Sequence, residues 1–144
     1  MKQLVIIAGS ESDEEFVKPA LTLAESIGID YEFKIYSAHR NLEELLEYLE
    51  LIQKEGETKI IIGVAGLSAA LPGVIAAKVK LPVIGVPRDV GALNGFDALL
   101  SICQMPKGVP VATMAIGSHG MMNSIYFAKR ILDLCEPNKI IDKT

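Results

Sequence analysis

Residues 59–87 read KIIIGVAGLSAALPGVIAAKVKLPVIGVP, and the order of their apolar runs decides the fold. KIIIGVA (59–65) is a short, unbroken, β-branched run, the pattern of a strand buried on both faces. SAALPGVIAAKV (68–79) turns to helical composition, with Pro72 near its start, where a missing N–H is tolerated. PVIGVP (82–87) is apolar throughout and reads as a second strand. Strand, helix and strand in so short a compass form a βαβ unit, whose two strands run parallel.

The same alternation extends outward in both directions. Towards the N-terminus lie QLVIIA (3–8) as strand, DEEFVKPALTLAESIG (13–28) as helix, DYEFKIY (30–36) as strand and NLEELLEYLELIQKEG (41–56) as helix. Towards the C-terminus follow GFDALLSICQM (95–105) as helix, PVATMAI (110–116) as strand and MMNSIYFAKRILDL (121–134) as helix. Five strands alternating with five helices predict an α/β fold: a three-layer, open, doubly wound parallel sheet of the flavodoxin-like or Rossmann-like kind. One domain over residues 1–135 is expected, with a tail at 136–144 whose NKIIDKT could dock on a neighbouring subunit.

Composition narrows the function. At 144 residues the chain is long enough for a sizeable core, and with half its residues hydrophobic and no tryptophan that core is aliphatic. The net charge of −4 and the lack of a Lys/Arg cluster argue against a nucleic-acid partner. No apolar run is long enough for a membrane span. Cys103 and Cys135 fall in apolar helical patterns, so buried thiols in a reducing cytoplasm are expected. Two histidines without suitable Cys/His spacing predict no metal site.

Ligands of open α/β sheets bind outside the carboxyl ends of the strands. Three polar or Gly/Ser-rich corners fall there. In AGSESD (8–13), Gly9 permits a sharp turn, and two readings stand: Ser12 or Asp13 caps the following helix, or backbone N–H groups and Ser10 receive a phosphate or ribose. In YSAHRN (36–41), His39 is either structural or a proton carrier, since imidazole titrates near working pH, and Arg40 beside it suits an anionic substrate. In VAGLSAALPG (64–73), small residues either pack a helix onto the sheet or let a ligand approach backbone donors. His119, at another strand-to-helix corner, reads as a cap or surface residue, and Arg88 either contacts an anion or faces solvent, the solvent-facing reading being the one expected.

GSESD (9–13), SAHR (37–40), AGLSAALPG (65–73), ALNGFDALLS (92–101), QMPKGVPVAT (104–113) and Asn123 occur in an order and spacing that resemble the 5-(carboxyamino)imidazole ribonucleotide mutases of purine biosynthesis, the PurE family. The resemblance spans residues 3 to 134. It implies an open parallel sheet, a homo-oligomer, commonly an octamer, with active sites where subunits meet, and a reaction without metal, ATP or other cofactor. By the same resemblance Ser10, Asp13 and Arg40 bind the ribose phosphate and His39 moves the proton, with Gly9, Ser37, Gly66, Ser68 and Leu71 also expected at the substrate. A dry wall of small residues from Gly66 to Gly73 would trap carbon dioxide between its loss from nitrogen and its capture by ring carbon. Ala70 stands where the mutases usually have histidine; Ser68 and Ala70 resemble the related aminoimidazole ribonucleotide carboxylases, which use free carbon dioxide, whereas Arg40, Pro72 and Gln104 resemble the mutases. A carboxylase and a non-catalytic nucleotide-binding module are the alternatives.

Overall fold

In the computed structural model, which describes residues 2–136, five strands form one parallel sheet in the order β2-β1-β3-β4-β5. These are β1 (Leu4–Ala8), β2 (Tyr31–Ile35), β3 (Ile60–Ala65), β4 (Val83–Pro87) and β5 (Ala112–Thr113). The helices are α1 (Glu14–Ser26), α2 (Leu42–Glu55), α3 (Leu71–Lys78), α4 (Phe96–Cys103) and α5 (Ser118–Cys135), with a 3-10 turn over Glu11–Asp13 ahead of α1. The expected α/β architecture is therefore present, and of the two doubly wound kinds the order is the flavodoxin-like one. The segment 138–144, expected to dock on a neighbour, lies outside the described residues.

Alternating side chains build two cores. Leu4, Ile6 and Ala8 of β1, with Ile60, Ile62 and Val64 of β3, pack under α1 and α5. Val5, Ile7 and Ile61 face the other way, under α2, α3 and α4. Because β1, β3 and β4 are buried on both faces, they need the unbroken apolar runs seen in sequence, and each large aliphatic side chain so buried contributes about 1.5–3 kcal/mol. On the second face Gly63 and Gly85 are register partners across β3 and β4. A β-carbon on Gly63 would come within 3.2 Å of Pro72 Cα, so these glycines let α3 sit close on the sheet.

β2 is an edge strand and is half-buried throughout. Lys34 pairs with Glu32 at 2.8 Å and lies 5.8 Å over the ring of Tyr48 from α2, which stacks on Tyr36 with centroids 5.3 Å apart. Burial pushes the Tyr48 phenol well above its ordinary value, so this ring stays neutral. The cluster ties α2 to the end of β2, where the YSAHRN corner begins.

Three expectations need correction. β5 is two residues long, not seven, because Pro110 has no N–H for the ladder and the chain then slips: Met114 N–H reaches Gly85 O at 2.9 Å while Gly117 N–H reaches Pro87 O at 2.9 Å, three residues against two. α5 begins at Ser118 instead of Met121, and Gly120 inside its first turn is required by contact with the Ala115 carbonyl. Cys103 and Cys135 are both free and exposed, not buried. In α4 it is Ala98 and Ile102 that face the core, which turns Phe96, Leu100 and Cys103 outward.

Candidate active site

The corner after β1 is shaped by Ser10. Its extended backbone starts the 3-10 turn, and its Oγ accepts the Ser12 N–H at 3.3 Å and lies 3.0 Å from Ser12 Oγ. Asp13, one of the two capping candidates, makes no capping bond to α1. It is instead buried, at 6% exposure, in an ion pair whose Oδ1 lies 2.7 Å from Nη1 of Arg88. Arg88 was expected to face solvent; its side chain is 17% exposed and lies 4.6 Å over the ring of Phe16. Sequence reading missed it because its partner is 75 residues away, and no local pattern reports such a contact.

At the corner after β2, local hydrogen bonds fold the chain back on itself. Ser37 N–H donates to Asn41 Oδ1 at 2.6 Å, Asn41 N–H to Ser37 O at 3.2 Å, and His39 N–H to Ser37 Oγ at 3.2 Å. With the backbone satisfied in this way, the His39 and Arg40 side chains stand exposed at the strand end. After β3, Gly66 packs so tightly on the segment following β4 that a β-carbon there would meet Val90 Cγ2 at 2.5 Å. Leu67 is held at φ 56°, an uncommon state for a branched side chain, and Ala69 and Leu71 turn inward.

The three corners enclose one cleft of about 500 Å³, within the usual range for small-molecule sites. Gly9, Ser10, Asp13, Ser37, His39, Arg40, Gly66, Ser68 and Leu71 all line it, joined by Ser12, Ala70, Arg88 and Val90. Of the wall expected from Gly66 to Gly73, Ala69, Pro72 and Gly73 do not face the cleft; Gly73 lies instead against Met105. The cleft sits where β1 is flanked by β2 and β3, the point at which the strand order reverses. His119 is an exposed residue in the first turn of α5 and lies outside the cleft. Among the described residues there is no group of three His, Cys, Asp or Glu side chains placed to hold a metal ion, and no helix is long and apolar enough to cross a membrane.

The family model described as AIR carboxylase matches residues 3–142. The chain belongs to the AIR carboxylase family. It is 50% identical over 133 residues to the N5-carboxyaminoimidazole ribonucleotide mutase of Bacillus subtilis, covering 92% of this chain and 82% of that one. To the enzyme of the same name from Saccharolobus solfataricus it is 47% identical over 134 residues, 93% of this chain and 83% of that one. Among solved structures, PurE of Treponema denticola superposes on this AIR carboxylase family member with a TM-score of 0.74 at 23% identity, covering 97% of this chain and 98% of the other, and so attests the fold.

Proposed function

We propose that this chain is an N5-carboxyaminoimidazole ribonucleotide mutase, an isomerase of purine biosynthesis that moves a carboxyl group from the exocyclic nitrogen of the nucleotide to its ring carbon. The observation that carries this reading is a cleft lined together by His39, Arg40, Ser10 and Asp13, in a chain half identical to a relative of that name.

Arg40, the Ser10 hydroxyl and the turn that follows it hold the ribose phosphate, and Asp13 accepts from its hydroxyl groups. The N-carboxylate leaves as carbon dioxide: the carbon–nitrogen bond breaks, its electron pair returns to nitrogen, and nitrogen takes up a proton given by His39. The ring carbon then attacks the trapped carbon dioxide, and His39 removes the ring proton from the adduct. One proton is gained at nitrogen and one is lost at carbon, so His39 ends the cycle as it began. Holding the gas beside the ring replaces a bimolecular encounter.

Retention of carbon dioxide needs a closed site, whereas His39, Arg40, Leu67 and Ser68 are exposed in the single chain. A second copy covers the cleft in this account, and an octamer is the assembly we propose. Leu93 at 60%, Phe96 at 57% and Leu100 at 43% exposure form an apolar stripe on and before α4 that suits a buried interface. A nucleotide is the small-molecule partner, and exposed free thiols at Cys103 and Cys135 fit a reducing, cytoplasmic setting.

A second reading is favoured by Ala70, which lines the cleft where a histidine would stand in most of the mutases. An aminoimidazole ribonucleotide carboxylase would take its carbon dioxide from solution. Absorbance assays separate the two: the mutase converts the N-carboxylated nucleotide without ATP or added bicarbonate, and the carboxylase leaves it unchanged but carboxylates the unsubstituted nucleotide when carbon dioxide is supplied.

A further inference from the structure

Asp13 poses an electrostatic problem. Its carboxylate is buried at 6% exposure in the wall of a cleft that, on the function proposed above, receives a phosphorylated and carboxylated nucleotide. Left alone it would repel that ligand and carry the desolvation penalty of an unpaired buried charge. Arg88 removes both difficulties. It starts at the end of β4, two strands from β1, and crosses the end of β3 to place Nη1 2.7 Å from Asp13 Oδ1 and 3.4 Å from Ser12 O.

The route of that arm is fixed along its length. Arg88 N–H donates to Ala65 O at 2.9 Å, and a β-carbon on Gly66 would lie 3.2 Å from Arg88 Cβ. Beyond it Val90 packs on Gly66 and Gly91 on Leu67, so the segment after β4 is locked against the corner after β3. Phe16, in the first turn of α1, supports the guanidinium from below at 4.6 Å. Nε is buried without a partner, a penalty that a merely solvent-facing arginine would escape by turning outward.

We propose that Arg88 is a positioning residue of the nucleotide site: it neutralises Asp13, occupies Oδ1 so that Oδ2 is presented to a ribose hydroxyl, and pins the Ser10–Asp13 turn in its anion-receiving shape. Arg88 lines the cleft, but its role runs through Asp13 and the turn, and a direct contact with the nucleotide is what the second arm below would reveal. The nucleotide part of this assignment rests on the function proposed above, whereas the pinning of the turn does not.

The test has two arms, run on the full chain. In the first, amide hydrogen exchange is measured on free protein for Arg88→Met, which keeps an apolar stem but loses charge and fork, and for Arg88→Lys, which restores charge. The amides of Ser12 and Asp13 should exchange about tenfold faster in Arg88→Met and recover in part in Arg88→Lys, while those of β3 stay unchanged. Uniform acceleration through the chain, or none at the corner, overturns the positioning role. In the second arm, calorimetry with aminoimidazole ribonucleotide should show Kd raised about tenfold by Arg88→Met in the native background and distinctly less by the same change in an Asp13→Asn background, where only the bond to Ser12 O is left to lose. If Arg88→Met weakens binding equally in both backgrounds, or a loosened corner leaves Kd unaltered, the proposal fails. Absence of binding by the unsubstituted protein would instead sink the functional reading, with the exchange arm still deciding what Arg88 does to the turn.

Discussion

His39 and Arg40 share one turn, and the proposed function gives them separable tasks. His39→Asn keeps a polar side chain but cannot carry a proton, so turnover of the N-carboxylated nucleotide should fall by about 10²–10⁴-fold while calorimetric nucleotide affinity is preserved. Normal turnover in that variant would remove His39 from the mechanism. Arg40→Met should act the other way, raising KM by at least about tenfold with a smaller effect on kcat, as expected when a charge-assisted phosphate contact is lost. The placement of both residues at the cleft was legible in sequence, because strand ends of a doubly wound sheet are where ligands bind. Arg88 was not, because its meaning depends on Asp13, 75 positions earlier, and Asp13 itself carried the competing local signal of a helix cap.

Among the elements, β4 and β2 make distinct demands. Gly85 lies beneath α4 with Val111 Cγ1 only 2.9 Å from where a β-carbon would sit, and Ile102 closer still. Gly85→Ala should therefore overpack the sheet and lower stability by about 1–3 kcal/mol, read as a lower denaturant midpoint with unchanged slope. In β2, the hydrogen bond from Lys34 holds the Glu32 carboxyl below its ordinary value of 4.5. A depressed carboxyl adds stability that is complete above the unfolded value and is lost as pH falls through the lower folded one. Glu32→Gln should then lower Tm by about 1–3 °C at neutral pH and by less as the pH drops below the usual carboxylate range, a partly exposed pair being worth little. The apolar runs identified β1, β3 and β4 because burial on both faces leaves no polar position. They misjudged β5, whose short pairing follows from Pro110 and a slipped register, features that hydrophobicity does not record.

For the whole molecule, alternation of strand and helix was enough to name the class, and the strand order, which depends on packing between distant elements, came only with the structure. The outward face of α4 was similarly hidden, since FDALLSIC is apolar on both sides and periodicity cannot say which side is core. If that face is an interface, light scattering should give a mass of several times 15.5 kDa, approaching eightfold for the octamer, and Phe96→Asp should reduce it and abolish turnover together; a mass of 15.5 kDa for the unsubstituted chain contradicts the assembly. The proposal that carbon dioxide never leaves the site is tested most directly with isotope. The protein is incubated with N5-carboxyaminoimidazole ribonucleotide labelled with heavy carbon in its carboxyl group, in unlabelled bicarbonate buffer without ATP, and the product is weighed by mass spectrometry. A product that retains the label is expected; a product whose carboxyl carbon comes from the buffer, or no product at all, would rule out trapping of the gas in the site.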